Sequence, residues 1–203
     1  MASIIKVDDV QDAAGNNIIN ESGDVITIGA SGDTIDIPSG ATLDATGATI
    51  TGALTNTPAF AAFLGADQTV TDATDTVAAI NTEIFDSDSD YDTGTYRFTP
   101  QVAGTYFLYA GAQLQSNTVT TFNLGQLYIR KNGTKIGHLW NDARSNANGY
   151  SKFVSISTVM IANGSTDYFD VMGYVDATSG TTFFGGHATE HRTVFGGYRI
   201  IGA

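Results

Sequence analysis

Cysteine is absent from these 203 residues, and lysine and arginine together number nine against 21 aspartates and glutamates. Without disulfides, stability has to come from the size of a core or from association between chains. A net charge of −12 leaves no basic patch to displace counterions, which argues against nucleic acid as a partner. No stretch reaches the ~20 consecutive apolar residues of a membrane span, so membrane insertion is not expected. The opening MASIIKVDDVQ turns polar after two isoleucines. It lacks the apolar centre of a signal peptide, and synthesis in a cytoplasm is the expectation. Glutamate occurs only at 21, 83 and 190, and leucine and lysine are few. This scarcity of strong helix formers favours an all-β chain. Catalytic signatures are missing as well: no phosphate-binding loop, no metalloprotease helix and no nucleophile elbow. The chain reads as a non-enzyme.

What is present divides into two compositions. Aromatic residues do not occur before Phe60, and residues 1–57 are built from Gly, Asp, Thr, Ser, Ala and isolated aliphatics. Within them Ser22-Gly23-Asp24-Val25-Ile26-Thr27-Ile28 is followed nine residues later by Ser31-Gly32-Asp33-Thr34-Ile35-Asp36-Ile37. Alternating turns and short strands are the pattern of a solenoid or fibre. The stripe Ile26, Ile28, Ile35, Ile37 and Ile50 has no apolar partner within the segment. The physical options are disorder or burial against other copies of the chain. The Ile-rich alternation speaks against disorder and favours intertwining about a threefold axis, a trimeric β-stalk over residues 21–57.

From Pro58 onward the pattern is that of a β-sandwich. Strands are expected at 58–64, 68–71, 76–80, 94–99, 105–115, 122–131, 134–141, 150–162, 166–176 and 192–201. The expected core holds Phe85, Tyr96, Phe98, Tyr106, Leu108, Leu127, Ile129, Val154, Ile156, Phe169, Val171 and Phe195. The most informative stretch is FDSDSDYDTGTYRFTPQVAGTYFLYA, residues 85–110. It combines an acidic loop, a strand, a turn carrying Pro100 and Gly104, and a second strand dense in aromatics.

The spacing of Phe85-Asp86, Tyr91-Asp92, Thr93-Gly94, Phe98, Pro100, Gly104, Tyr106 and Phe107 resembles the globular heads of complement and their tumour-necrosis-factor-like relatives. Lys131-Asn132-Gly133 and the closing Val194-Phe195-Gly196-Gly197-Tyr198 extend the resemblance. It implies a jelly roll over residues 58–203, assembled as a homotrimer. The opening MASIIKVDDVQDAAGNNII also resembles the N-termini of fibre and appendage proteins of tailed bacteriophages. That likeness implies a virion protein whose residues 1–20 attach to other virion proteins and whose tip meets a host cell-surface glycan or protein. A capsid-decorating head fibre without a receptor, a glycan-degrading fibre and a cellular lectin-like protein are the alternatives.

Candidate functional residues follow from strand parity. Counted back from the last strand, the turns at Pro100–Gly104, Asn132-Gly133 and Asn163-Gly164 belong at the base. Loops 86–93, 116–121, 142–149 and 177–191 belong at the tip. The candidate receptor contacts are therefore Asn117, Thr118, Arg144, Asn146, Asn148, His187 and His191, on loops held by a rigid scaffold. Arg144 is the only cation in the last three of those loops. It could grip an anionic polysaccharide through its planar fork or pair with Asp142. Asp86, Asp88, Asp90 and Asp92 form a candidate calcium loop, since hard cations take clustered carboxylate oxygens. A solvated acidic loop is the other reading of the same residues. His138 is expected on a strand surface.

Overall fold

The structure, a computed structural model, describes residues 9–11, 17–22, 25–28, 32, 34–42, 44, 56–144 and 149–201. The chain divides into two compact units, residues 1–51 and 52–203. The boundary thus falls a few residues before the 57/58 boundary expected from composition.

In the first unit β1 (Asp9–Gln11), β2 (Asn17–Ser22) and β3 (Val25–Ile28) form an antiparallel three-stranded meander. β2 spans residues 20 and 21 and pairs with both neighbours. That strand crosses the 20/21 boundary expected between leader and stalk. The first Ile-x-Ile copy lies on β3, whereas residues 34–38 of the second copy form no strand. Gly32 and Gly40, both at positive φ, punctuate that stretch. Ile28, Ile35 and Ile37 stand 46–57% exposed. Ile50 lies outside the described residues.

The second unit is an all-β, jelly-roll-like sandwich of two open sheets. Its strands are β4 (Ala59–Phe63), β5 (Gln68–Val70), β6 (Thr76–Val77), β7 (Thr82–Asp86), β8 (Tyr91–Asp92), β9 (Arg97–Phe98), β10 (Gly104–Ser116), β11 (Phe122–Lys131), β12 (Thr134–Asp142), β13 (Ser151–Ala162), β14 (Phe169–Ala177), β15 (Thr182–Gly185) and β16 (Val194–Arg199). The seven-stranded sheet runs β5-β15-β10-β16-β4-β7, with β13 on the other side of β10. The six-stranded sheet runs β12-β11-β14-β9-β8, with β6 also on β14.

β10 organises the sandwich. Tyr106, Leu108, Ala110, Ala112 and Leu114 are all buried, and the residues between them face out, the two-residue period of a half-buried strand. Facing them from β11 and β14 are Leu127, Ile129, Phe169, Val171 and Val175. The centre is aromatic: Phe60 stacks on Phe98 at 4.2 Å and on Tyr91 at 5.0 Å, with Phe195 edge-on at 4.9 Å. Burying each such ring contributes roughly 1.5–3 kcal/mol. Tyr91 reaches the core only because its hydroxyl donates to the Ile80 carbonyl at 2.7 Å.

Nine of the twelve expected core residues are fully buried, and Ile156 packs against the core at partial burial. Two expectations fail. Phe85 is 51% exposed, because it pairs with Ala61 just where a register shift breaks the β4–β7 ladder. Tyr96 sits in the turn before β9 at φ 62°, so the expected strand 94–99 shrinks to two residues.

The tight end of the sandwich is where both ends of the described globe meet. Arg199 donates its amide to Pro58, and Ile200 to Thr105. The 163–166 turn packs against 102–103 so closely that a Cβ on Gly164, at φ +72°, would lie 2.2 Å from the Ala103 nitrogen. The Asp86–Asp92 loop belongs to this base, not to the tip. The Asp90 carboxylate accepts the Gln101 amide at 3.0 Å, and the Asp90 carbonyl accepts that of Thr99. Counted back from the last strand, the expected parity needs a full crossing over 94–99. Only the two residues of β9 form there, beside Phe169 at the base, and β7 is the strand that brings the chain down to it.

Candidate functional site

The two outward sheet faces are chemically unlike. In the six-stranded sheet nearly every charge is answered locally. Arg130 grips Asp170, which is 1% exposed, through two hydrogen bonds of 2.7 Å. Lys135 lies 3.8 Å above the Tyr128 ring and 2.6 Å from Asp75. Arg97 covers the Tyr168 ring at 4.0 Å. His138 stacks on Tyr128 at 4.6 Å, on the strand surface as expected.

The seven-stranded sheet has a different face. The outward positions of β10, β13, β16 and β4 carry no Asp, Glu, Lys or Arg at all. Its base-ward rows are apolar: Ile161, Val159 and Tyr198 are 70%, 54% and 39% exposed. Phe107 lies 5.5 Å from Tyr198 and 6.5 Å from Tyr109. Tyr109 lies flat over β16, where a Cβ on Gly196 would fall 2.3 Å from its hydroxyl oxygen. Phe85 extends the same face through its pairing with Ala61. On a chain of charge −12, so wide a charge-free apolar face marks a contact surface.

Above these rows the face becomes polar and sinks into a depression of about 560 Å³. It is lined by Gln113, Gln115, Tyr150, Ser151, Phe153, Glu190, His191 and Arg192.

The expected tip residues fare unevenly. Asn117 knits two tip loops together, its Oδ1 accepting the Thr181 amide at 2.8 Å. Thr118 donates its hydroxyl to that same oxygen and its amide to Ser116 Oγ. Arg144 holds Asp142 through its Nε, one terminal guanidinium nitrogen and its own amide. Those bonds keep the Asp142 carboxyl at about 2. Asn146 and Asn148 lie outside the described residues. The expected loop 177–191 is three pieces: a tip turn, the strand β15, and a strap over 186–193. His187 and His191 belong to the strap on the side of the sandwich. His187 donates its amide to the Leu64 carbonyl, and its Nδ1 accepts the Thr189 and Glu190 amides. His191, at φ 47°, lies against the Phe63 ring at 4.0 Å.

The acidic loop does not form a set of metal ligands. Asp86 accepts the Asp88 and Tyr91 amides, Asp90 the Gln101 amide, and Asp92 the Gly94 and Thr95 amides with the Thr95 hydroxyl. Among the described residues no three His, Cys, Asp or Glu side chains are placed to share an ion. These carboxylates spend their oxygens on the loop's own amides and so fold it. No described helix is long and apolar enough to cross a membrane.

Neither a family model nor a curated protein sequence matches this chain. Among solved structures it is similar to the globular domain of zebrafish complement 1qA protein, at 16% identity and a TM-score of 0.50. The match covers 70% of this chain and 96% of that one. At that identity the likeness shows the fold alone: a complement-head jelly roll, as the Phe85–Phe107 spacing led one to expect.

Proposed function

We propose that the protein is a structural appendage of a tailed-bacteriophage virion, a homotrimeric fibre or spike with a jelly-roll tip. The observation that carries the association is the charge-free apolar face of the seven-stranded sheet. Rings and β-branched side chains at that exposure are stable in water when a second copy covers them. A threefold arrangement follows from the resemblance to complement heads and from the uncovered isoleucines of the first unit. The virion assignment rests on the N-terminal resemblance and on the aromatic-free composition of residues 1–57. In this reading residues 1–20 join other virion proteins and the globe is presented outward, to a host cell-surface glycan or protein.

One observation favours capsid decoration without a receptor: the tip residues Asn117, Thr118 and Arg144 spend their hydrogen bonds on neighbouring loops. Electron micrographs of particles labelled with antibody against the globe decide between mountings. Label at tail or baseplate supports a fibre, label over the capsid supports decoration, and unlabelled particles sink the virion reading. Light scattering of the purified chain tests the assembly, with three times the chain mass expected.

A further inference from the structure

The depression at the tip-ward end of the charge-free face is not explained by self-association. Its lining is neither apolar nor of one charge, and it combines three kinds of group. Its floor is amide and hydroxyl: Gln113 Nε2 donates to Ser151 Oγ at 2.9 Å. The carboxamides of Gln113 and Gln115 meet over Gly185, where a Cβ would lie 2.7 Å from the first and 2.9 Å from the second. One wall is aromatic, with Tyr150 51% and Phe153 61% exposed. The other is the Glu190–Arg192 ion pair at 2.6 Å, on the strap that His187 and Leu64 tie down.

Gln113 Oε1 is buried and has no hydrogen-bond partner among the described residues. Such an atom is costly to leave buried until a donor reaches it. The volume of about 560 Å³ falls within the roughly 300–1,000 Å³ of small-ligand sites.

We infer that this depression is a binding site for a neutral saccharide. A pyranose offers an apolar C–H face to an aromatic wall and a ring of hydroxyls that both donate and accept. Amides, a serine hydroxyl, a carboxylate and a guanidinium answer those hydroxyls from two sides. The opposed charges of Glu190 and Arg192 leave no net field for an anion or a cation. The inference rests on the reading of the globe as the outward end of an appendage, and it moves the host contact from the tip loops to the flank.

The test is saturation-transfer NMR on the full chain with the methyl glycosides of glucose, galactose, mannose and N-acetylglucosamine, followed by titration calorimetry. Two variants, Tyr150→Ala and Glu190→Gln, change exposed side chains and leave the core alone. Saturation transfer to at least one glycoside is expected, weakened about tenfold by each variant: Glu190→Gln weakens a hydrogen bond to a charged group and Tyr150→Ala removes the apolar wall. Circular dichroism and the scattering mass should stay unchanged. No transfer to any of the four, or binding that survives both variants, overturns the site. A fall in mass with Glu190→Gln also overturns it, since the depression is then filled by a second copy. A chain that binds a glycoside as a monomer keeps the site and defeats the trimer, so the two readings fail separately.

Discussion

The seven-stranded and six-stranded sheets cover the same aromatic core, yet their outer faces follow opposite rules. The six-stranded face settles its charges by itself: Arg130 with Asp170, Lys135 with Asp75 and Tyr128, Arg97 over Tyr168. A surface with its ion pairs closed has little left to offer a partner. The seven-stranded face carries no charge along four strands and leaves Val159 and Ile161 more than half exposed. The lesson is that a strand's inward residues fix the fold, while its outward residues reveal whether that side is meant for water or for protein.

The comparison supplies a graded set of expectations. Phe98, at 0% exposure under both sheets, belongs to neither face. Phe98→Ala should cost about 3–5 kcal/mol through lost burial and a cavity, read by denaturant unfolding. Asp170→Ala comes next, at about 3 kcal/mol, since it leaves Arg130 without its buried partner. A change below 1 kcal/mol would mean that the closed ion pairs of the six-stranded face are ornamental.

Smaller still is Asp90→Asn at the base. Burial raises the Asp90 carboxyl above its usual value, against the Gln101 amide that lowers it. Ionising a carboxyl raised in this way opposes folding, so its favourable contribution holds at low pH and is lost as pH rises through the folded value. Asp90→Asn should therefore melt higher than the parent near pH 7 and lose that advantage near pH 3. An advantage that grows on acidification would contradict the stated cause. Arg144→Ala should change the melting midpoint least, because its pair with Asp142 is exposed to water.

Much of this was legible in the residues. Alternation through Tyr106, Leu108 and Leu127, Ile129 placed β10 and β11 with their buried sides correct, because long strands average out local exceptions. Short pieces were not legible. β7 reads Thr-Glu-Ile-Phe-Asp, with no alternation to announce it. β15 is four residues amid Gly and Thr. Taking 94–99 as a full crossing, where only β9 forms, sent the acidic loop to the wrong end, and missing β15 turned a strap into a tip loop. The flank depression was invisible for the same reason: Gln113 and Glu190 are 77 positions apart and meet only through β10, β15 and the strap. The outward apolar face carried a signal that went unused. Phe107, Tyr109, Val159 and Ile161 occupy the positions that alternation assigns to water.

The central question is which face other copies cover. Light scattering on two matched double variants answers this: Val159→Asp with Ile161→Asp on the seven-stranded face, and His138→Asp with Trp140→Asp on the other. Exposed positions on each, they should leave the fold intact by circular dichroism. On dilution the first variant should fall toward the mass of a single folded chain at concentrations where the parent and the second variant keep the mass of a trimer. A first variant that stays trimeric to the same dilution as the parent, or a parent that is monomeric at micromolar concentration, contradicts this assembly.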